Sequence, residues 1–144
     1  KETIKAMLEM AGTGHLVLST IHARNSYQAM QRIVTMFPPE YHGQLFSDLS
    51  MDLTAILSQR LAQSVDGKRV AVIEVMLNTP YISDLIRSGQ IIDIKDAMRS
   101  SGADGMLTFD QHLITLYHDG VITLEEALNN SDSRTDLEAQ LNFG

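Results

Sequence analysis

One short stretch near the start of the sequence decides the fold, Thr13-Gly-His-Leu-Val-Leu-Ser-Thr-Ile-His-Ala-Arg24. Residues 15–20 favour β structure and do not alternate with polar residues, which predicts a strand buried on both faces. Such strands are typical of parallel α/β sheets that are covered by helices. Ligands of these sheets bind in the crevice beyond the carboxyl ends of the strands. The polar residues that follow residue 20 are therefore the first candidates for a site.

That end of the predicted strand is rich in hydrogen-bonding side chains, namely Thr20, His22, Arg24 and Asn25. His22 lies beyond the strand, where a ligand would bind. His15 lies at its start and either caps the strand through local hydrogen bonds or belongs to the site; the sequence leaves both open. A metal site is not favoured, because the histidine spacing is irregular and no third histidine or carboxylate lies nearby.

The composition narrows the class of protein. With 144 residues, 44% of them hydrophobic, the chain can form one domain or a small domain with an appendage. The net charge of −7 argues against binding nucleic acid or anionic membranes. The absence of cysteine excludes disulfides, a thiol nucleophile and a cysteine-based zinc site. The apolar runs are too short for insertion into a membrane.

The pattern of helix-like and strand-like segments in residues 1–78 is typical of an α/β domain. Helical periodicity ends at Gly12, and Asn25 with Gln28 predicts the N-cap of a second helix. Pro38-Pro39 ends that helix, and a longer one is predicted from Tyr41 to Leu61. Two strand-like runs then flank Asp66-Gly67, a hairpin dipeptide, and the second run covers Arg69–Leu77.

Residues 79–144 predict short helices only. Thr79-Pro80 is a cap followed by proline at the first helical position, and Ile82, Leu85 and Ile86 are the expected buried face. Three further cap pairs follow, Thr108 with Gln111, Thr123 with Glu126 and Ser133 with Asp136. The chain thus divides into an α/β part, 1–78, and a helical part, 79–144.

Common catalytic motifs are missing from this sequence. It contains no Gly-x-x-x-x-Gly-Lys-Ser/Thr phosphate loop and no Gly-x-Ser-x-Gly elbow. The remaining histidines, His42, His112 and His118, fall on predicted helices, where we expect solvated positions.

Four segments together resemble a known family. Residues 13–22 resemble the "His box" of the secretion ATPases that drive type IV pili and type II secretion, and Ser58-Gln-Arg-Leu61 resembles their Ala-Gln-Arg-Leu segment. Tyr81-Ile-Ser-Asp-Leu-Ile-Arg87 is similar to the Ala-Ile-Arg-Asn-Leu-Ile-Arg helix of the pilus retraction motors, and departs at Tyr81, Ser83 and Asp84. Gly105-Met-Leu-Thr-Phe-Asp110 is similar to their Gly-Met-Gln-Thr-Phe-Asp.

Within the PilT/PilU group, residues 77–80 and 127–137 look more like PilU than PilT. The resemblance implies a hexamer of RecA-like P-loop ATPase domains, each preceded by a PAS-like domain, with the phosphate loop and Walker B acid upstream of the His box. The expected fold class is therefore α/β: residues 1–78 are the C-terminal part of such an ATPase domain, followed by an all-helical C-terminal region, 79–144.

The same resemblance assigns site residues. It implies that His22 and His15 are catalytic, with His22 near the γ-phosphate as a sensor or charge stabiliser. It implies that Thr13, Gly14, Thr20 and His22 bind the nucleotide. The coupling helix of the motor would carry Ile82, Leu85, Ile86 and Arg87. ATP and Mg²⁺ are the cofactors implied for the intact protein; none is expected on this segment alone, which should be inactive.

The implied partners are further copies in a homo-hexamer, a PilT-type retraction ATPase and the inner-membrane pilus platform protein. The implied place is cytoplasmic, at the inner-membrane base of the pilus, where the motor powers retraction and twitching motility. One alternative is a pilus-assembly or type II secretion ATPase, although these usually carry a four-cysteine zinc element. Another is a non-catalytic helical interaction domain derived from such a motor.

Overall fold

A computed structural model describes residues 2–143, with side-chain surroundings given for residues 2–142. The elements follow in the order α1 (Glu2–Gly12), α2 (Ser26–Thr35), α3 (His42–Asp52), β1 (Ala55–Gln63), β2 (Arg69–Leu77), α4 (Pro80–Arg87), α5 (Ile94–Ser100), α6 (Phe109–His118), α7 (Leu124–Asn130) and α8 (Arg134–Phe143). Short 3-10 turns at Pro39–Tyr41 and Ile91–Asp93 precede α3 and α5. Over the described residues, no helix is both long and apolar enough to cross a membrane.

The two strands form an antiparallel hairpin. Their register runs from Ala55 opposite Leu77 to Gln63 opposite Arg69. Gly67 has φ of 81°, the left-handed conformation that favours glycine, so the predicted Asp66-Gly67 turn is confirmed. Along its other edge β2 meets the chain before α6, where Val75 and Leu107 exchange backbone hydrogen bonds of 2.8 and 3.0 Å. The helical half of the chain thus covers the outer edge of the hairpin.

The interior consists of two hydrophobic clusters. The first packs α2, α3, α4 and α5 against the end of β2, and includes Met30, Leu45, Met76, Ile82, Ile86 and Ile94. The second packs α6, α7 and α8 against the middle of the hairpin, and includes Val72, Phe109, Leu113, Ile122 and Leu137. Each cluster draws side chains from both sides of Asn78. The division at that residue into 1–78 and 79–144 stays a prediction.

The predicted helix starts are confirmed by their caps. The side chain of Asn25 accepts a hydrogen bond from the N–H of Gln28 at 2.9 Å. Thr79 and Thr123 accept likewise at the starts of α4 and α7. Thr108 forms the full reciprocal capping box with Gln111. These caps are local in sequence, which is why the sequence predicts them well.

The prediction of a doubly buried strand at residues 15–20 is wrong for the structure as it stands. The segment has no regular secondary structure, and no strand among the described residues pairs with it. Leu16 and Leu18 are 84% and 86% exposed. A strand owes its stability to its neighbours, and the only sheet described, the β1–β2 hairpin, lies elsewhere.

The predicted helix from Tyr41 to Leu61 is also wrong, because it ends at Asp52 and β1 takes its last third. Asn78 donates from its amide to the carbonyls of Ser50 and Leu53 at 3.0 and 2.7 Å. Ser83 donates to the same Ser50 carbonyl at 2.7 Å. These distant side chains satisfy the last carbonyls of α3 and so end the helix, a signal that local periodicity does not contain.

Candidate functional site

The candidate site is the loop of residues 22–25, which leads into α2. Arg32, two turns into α2, donates from its guanidinium to the carbonyl of His22. The N–H of Arg24 reaches the side-chain oxygen of Gln28 at 3.3 Å. The loop is therefore folded back on the helix that follows it, and His22 lies beside the first turns of α2.

An open groove of about 640 Å³ runs beside this loop, lined by His22, Ala23, Arg24, Gln28, Gln31, Arg32 and Thr35. Its charged lining residues are two arginines, and no carboxylate lines it. Guanidinium groups with an imidazole and amides form a set of donors suited to phosphate or carboxylate oxygens. The lining of the groove is therefore chemically suited to an anion.

The other residues assigned to the nucleotide site do not line this groove. Thr13, Gly14, His15 and Thr20 are all exposed. The hydroxyl of Thr13 lies 3.0 Å from Nδ1 of His15, and Gly14 takes φ of 88°. The structure thus shows the local hydrogen bond allowed for His15, and it places none of these four residues in the lining of the groove beside His22.

Arg60, on β1, connects the loop to the far end of the chain. Its Nε and Nη2 donate to the carbonyl of Arg24 at 3.3 and 3.2 Å, and its Nη1 donates to the carbonyl of Asn130 at 2.8 Å. Nη2 also pairs with Oδ1 of Asp132 at 2.5 Å. The guanidinium carbon lies 4.0 Å from the ring centroid of Phe109, a cation–π contact.

Asp132 is the acidic centre of this junction. Oδ2 of Asp132 lies 3.3 Å from Nζ of Lys95 and accepts from the amide of Asn25 at 3.4 Å. Burial acts to raise the pKa of Asp132, but the hydrogen bond and charge of Arg60, together with Lys95, outweigh it and hold that pKa below its usual value. The carboxylate is therefore charged at neutral pH.

The pKa of the neighbouring Asp110 is shifted in the opposite direction, upward. Asp110 is buried at the start of α6, where Oδ1 accepts the N–H of Asp132 at 3.1 Å. Burial raises the pKa of Asp110, and the nearby Asp132 charge acts in the same direction. Two carboxyls with unequal surroundings thus meet at one junction.

The proposed coupling residues lie on α4, and they differ in burial. Ile82, Leu85 and Ile86 are buried in the first cluster, as the sequence predicts. Arg87 is exposed and forms an ion pair with Asp84 at 3.6 Å. A role in coupling stays a prediction for all four.

The expectation that His42 and His112 are solvated is wrong. His42 is half-buried and its Nε2 lies 2.9 Å from the carbonyl of Phe37. His112 accepts the N–H of Ile73 at its Nδ1, at 2.8 Å, and so covers the edge of β2. His118 is exposed, as expected.

Sequence reasoning missed Arg32, Lys95 and Asp132. Arg32 had a detectable signal, because residues 28, 31, 32 and 35 recur at helical spacing as the polar face of α2. Asp132 had none, since it lies 72 residues from Arg60 in sequence.

The lining of the groove fits the phosphates of a nucleotide but not its metal. Throughout residues 2–143, no group of three or more histidine or acidic residues could hold a metal ion.

Comparisons with known proteins identify the family. The family model described as "Type II/IV secretion system protein" matches residues 1–68. The type IV pilus ATPase PilU of Pseudomonas aeruginosa is 48% identical over all of this chain, and the chain spans 38% of its length. The type IV pilus retraction ATPase PilT of the same organism is 38% identical over 88% of this chain and 37% of its own length.

Solved structures agree with this result. The pilus retraction motor PilT with bound ADP matches with a TM-score of 0.85 and 35% identity, over 96% of this chain and 38% of that one. The ATPase DotB of Legionella pneumophila matches with a TM-score of 0.74 and 27% identity, over 88% of this chain and 34% of that one. The expected fold class, the C-terminal part of a RecA-like ATPase domain with a helical region, is confirmed. The chain therefore belongs to the family of secretion ATPases that includes the type IV pilus ATPases PilU and PilT.

Proposed function

We propose that this chain is the His-box segment of a hexameric, ATP-hydrolysing motor that powers type IV pilus retraction. The observation that carries the proposal is the groove in which His22 lies with Arg24 and Arg32. The relatives are ATPases by name, and a groove lined by cationic and neutral donors suits the phosphates of ATP.

His22 is the residue to which we assign the main chemical role. Its imidazole donates a hydrogen bond to a phosphate oxygen or to the attacking water, and Arg24 and Arg32 add positive charge beside it. In a longer protein, Mg²⁺ held by residues outside this chain would supply further neutralisation of the phosphate charge. Thr13, Gly14, His15 and Thr20 shape the same site once their segment takes its place in the ATPase domain.

The exposure of Leu16 and Leu18 supports this arrangement. Side chains that are 84% and 86% exposed on this segment would be covered if strands from the rest of the ATPase domain paired with it. This chain spans 38% of the length of PilU, so a longer protein would have room for those strands.

The motor acts on the cytoplasmic side of the inner membrane, beside a PilT-type ATPase and against the pilus platform protein. In this proposal α4 transmits the nucleotide state: Ile82, Leu85 and Ile86 anchor it in the core, and Arg87, exposed beside Asp84, is accessible to a moving partner domain.

The direct test is a chimaera in which this chain replaces the matching segment of P. aeruginosa PilU. We expect the chimaera to hydrolyse ATP with Mg²⁺, and the 144-residue chain alone to show no turnover above a buffer blank. A folded, hexameric chimaera without ATPase activity would favour the alternative, a non-catalytic interaction domain. Turnover by the isolated chain would contradict the requirement for a phosphate loop.

A further inference from the structure

The loop that carries His22 has few attachments to the rest of the protein. Across residues 13–24, as far as the structure describes them, only the hydrogen bonds from Arg60 reach a residue more than ten positions away. The other bonds, such as that from Arg32 to His22, are local. Residues 22–24 are therefore hydrogen-bonded to the rest of the protein in two ways, directly by Arg60 and through α2, whose Gln28 and Arg32 bond the loop.

Arg60 in turn is fixed by groups from the C-terminal helices. The side chain is 21% exposed, lies on the ring of Phe109 in α6, and bonds Asn130, the last residue of α7, and Asp132 in the connection between α7 and α8. Asp132 is only 11% exposed and is itself held by Lys95. The same carboxylate accepts a hydrogen bond from Asn25, the cap of α2. Arg60 and Asp132 therefore each bond one residue of the loop, Arg24 and Asn25 respectively.

We infer that Arg60 and Asp132 form a latch that positions the His22–Asn25 loop, so that the connection between α7 and α8 is coupled to the groove beside that loop. Closing the latch holds the Arg24 carbonyl toward the hairpin. Opening it leaves the loop attached only to α2. The consequence for hydrolysis rests on the proposed function, whereas the latch itself does not.

The geometry requires arginine and not merely a positive charge. The Arg24 carbonyl, the Asn130 carbonyl and the Asp132 carboxylate take donors from all three nitrogens of one planar group. A lysine ammonium is a single point of charge and cannot match three acceptors spread around a fork. Arg60→Lys therefore opens the latch while it keeps a cation beside Asp132.

The rate of trypsin cleavage after Arg24 measures how often the latch is open, because the bond that is cut carries the carbonyl that Arg60 holds. We compare the 144-residue chain with its Arg60→Lys and Asp132→Asn variants, and follow cleavage at the 24–25 bond by mass spectrometry. Arg134→Lys is the matched control, since that arginine pairs with Glu138 on an exposed helix face. Unfolding by urea is measured on each variant in parallel.

We expect both latch variants to raise the rate of cleavage after Arg24 by about tenfold or more, as the loss of charge-assisted hydrogen bonds increases the open population. Cleavage at Arg69 in β2 should keep its wild-type rate, as should every site other than position 134 itself in Arg134→Lys. The double variant should be cut no faster than the faster single variant, because both changes open one latch. An unchanged rate at Arg24 in the folded variants would overturn the inference, and so would an equal rise at Arg69.

In the PilU chimaera, Arg60→Lys should lower kcat at least about tenfold and leave the KM for ATP within about twofold, since the loop is misplaced and not removed. An unchanged kcat would overturn the link to the groove. A chimaera without any ATPase activity would defeat the proposed function, while the trypsin result would still decide the latch.

Discussion

The carboxylate of Glu74 on β2 accepts a hydrogen bond from the backbone N–H of Ser26 at 2.8 Å. Both residues are buried, and they lie 48 positions apart. The bond places a negative charge at the N-terminus of α2, where helix N–H groups lack partners and the dipole favours an anion. The bond therefore anchors α2, whose polar face lines the groove, to the hairpin.

We expect Glu74→Ala to lower the free energy of unfolding by about 1–3 kcal/mol, because the Ser26 N–H is left buried without an acceptor. Glu74→Gln keeps an acceptor oxygen and should cost less. Urea unfolding measures both, with Glu125→Gln on the exposed face of α7 as the control. Equal stability of the alanine variant and the wild type would show that the bond contributes nothing.

Asp110→Asn tests the second carboxyl of the latch region. Burial raises the pKa of Asp110, so ionisation costs more in the folded state, and its contribution to stability falls as the pH rises above the ordinary aspartate value of about 3.9. The asparagine side chain can still accept the Asp132 N–H. We therefore expect the variant to gain stability relative to wild type at pH 7 compared with pH 4.

The measurement is the difference in unfolding free energy between Asp110→Asn and wild type at the two pH values. Asp132→Asn should show the reverse trend when a third point below the ordinary aspartate pKa of about 3.9 is added, because the pKa of Asp132 is lowered and its stabilisation is lost only as the pH falls from there through that pKa. The assignment would be contradicted if both variants changed with pH in the same direction.

Two glycines give a matched pair in the backbone. Gly67 has φ of 81° in the hairpin turn, so Gly67→Ala should destabilise the protein by about 1–2 kcal/mol. Gly43 lies in α3 with open space where a Cβ would stand, so Gly43→Ala should stabilise it by about 0.5–1 kcal/mol. Thermal melts of the two variants check the signs; a stabilised Gly67→Ala would mean that the turn does not require the left-handed conformation.

What the sequence predicts depends on the range of the interactions. The caps at Asn25, Thr79 and Thr108 were predictable because each is satisfied three residues away. β2 was predictable at its full length, Arg69–Leu77, because a turn dipeptide precedes it. The end of α3 was not, since it depends on side chains from positions 78 and 83.

The site divides in the same way. His22 follows from its place after a β-prone run, and the resemblance to the His box supports the choice. Arg60, which bonds the loop, and its partner Asp132 are far apart in sequence. They meet only when β1 packs against the connection between α7 and α8. The sequence pattern predicted a helix at Arg60, so the contact that its place on β1 makes with Asp132 could not be predicted.

In the proposed motor His22 acts on the phosphates of ATP, and the decisive variant is His22→Ala in the PilU chimaera. His118→Ala is the control, because His118 is exposed on α6 and absent from the groove lining, whereas His42 is half-buried and bonded to the backbone. Losing one preorganised donor commonly costs about 100- to 1,000-fold in rate, and we expect the lower end for kcat with little loss in ATP affinity. A His22→Ala chimaera that turns over ATP at the rate of His118→Ala would contradict the claim and make His22 a structural residue.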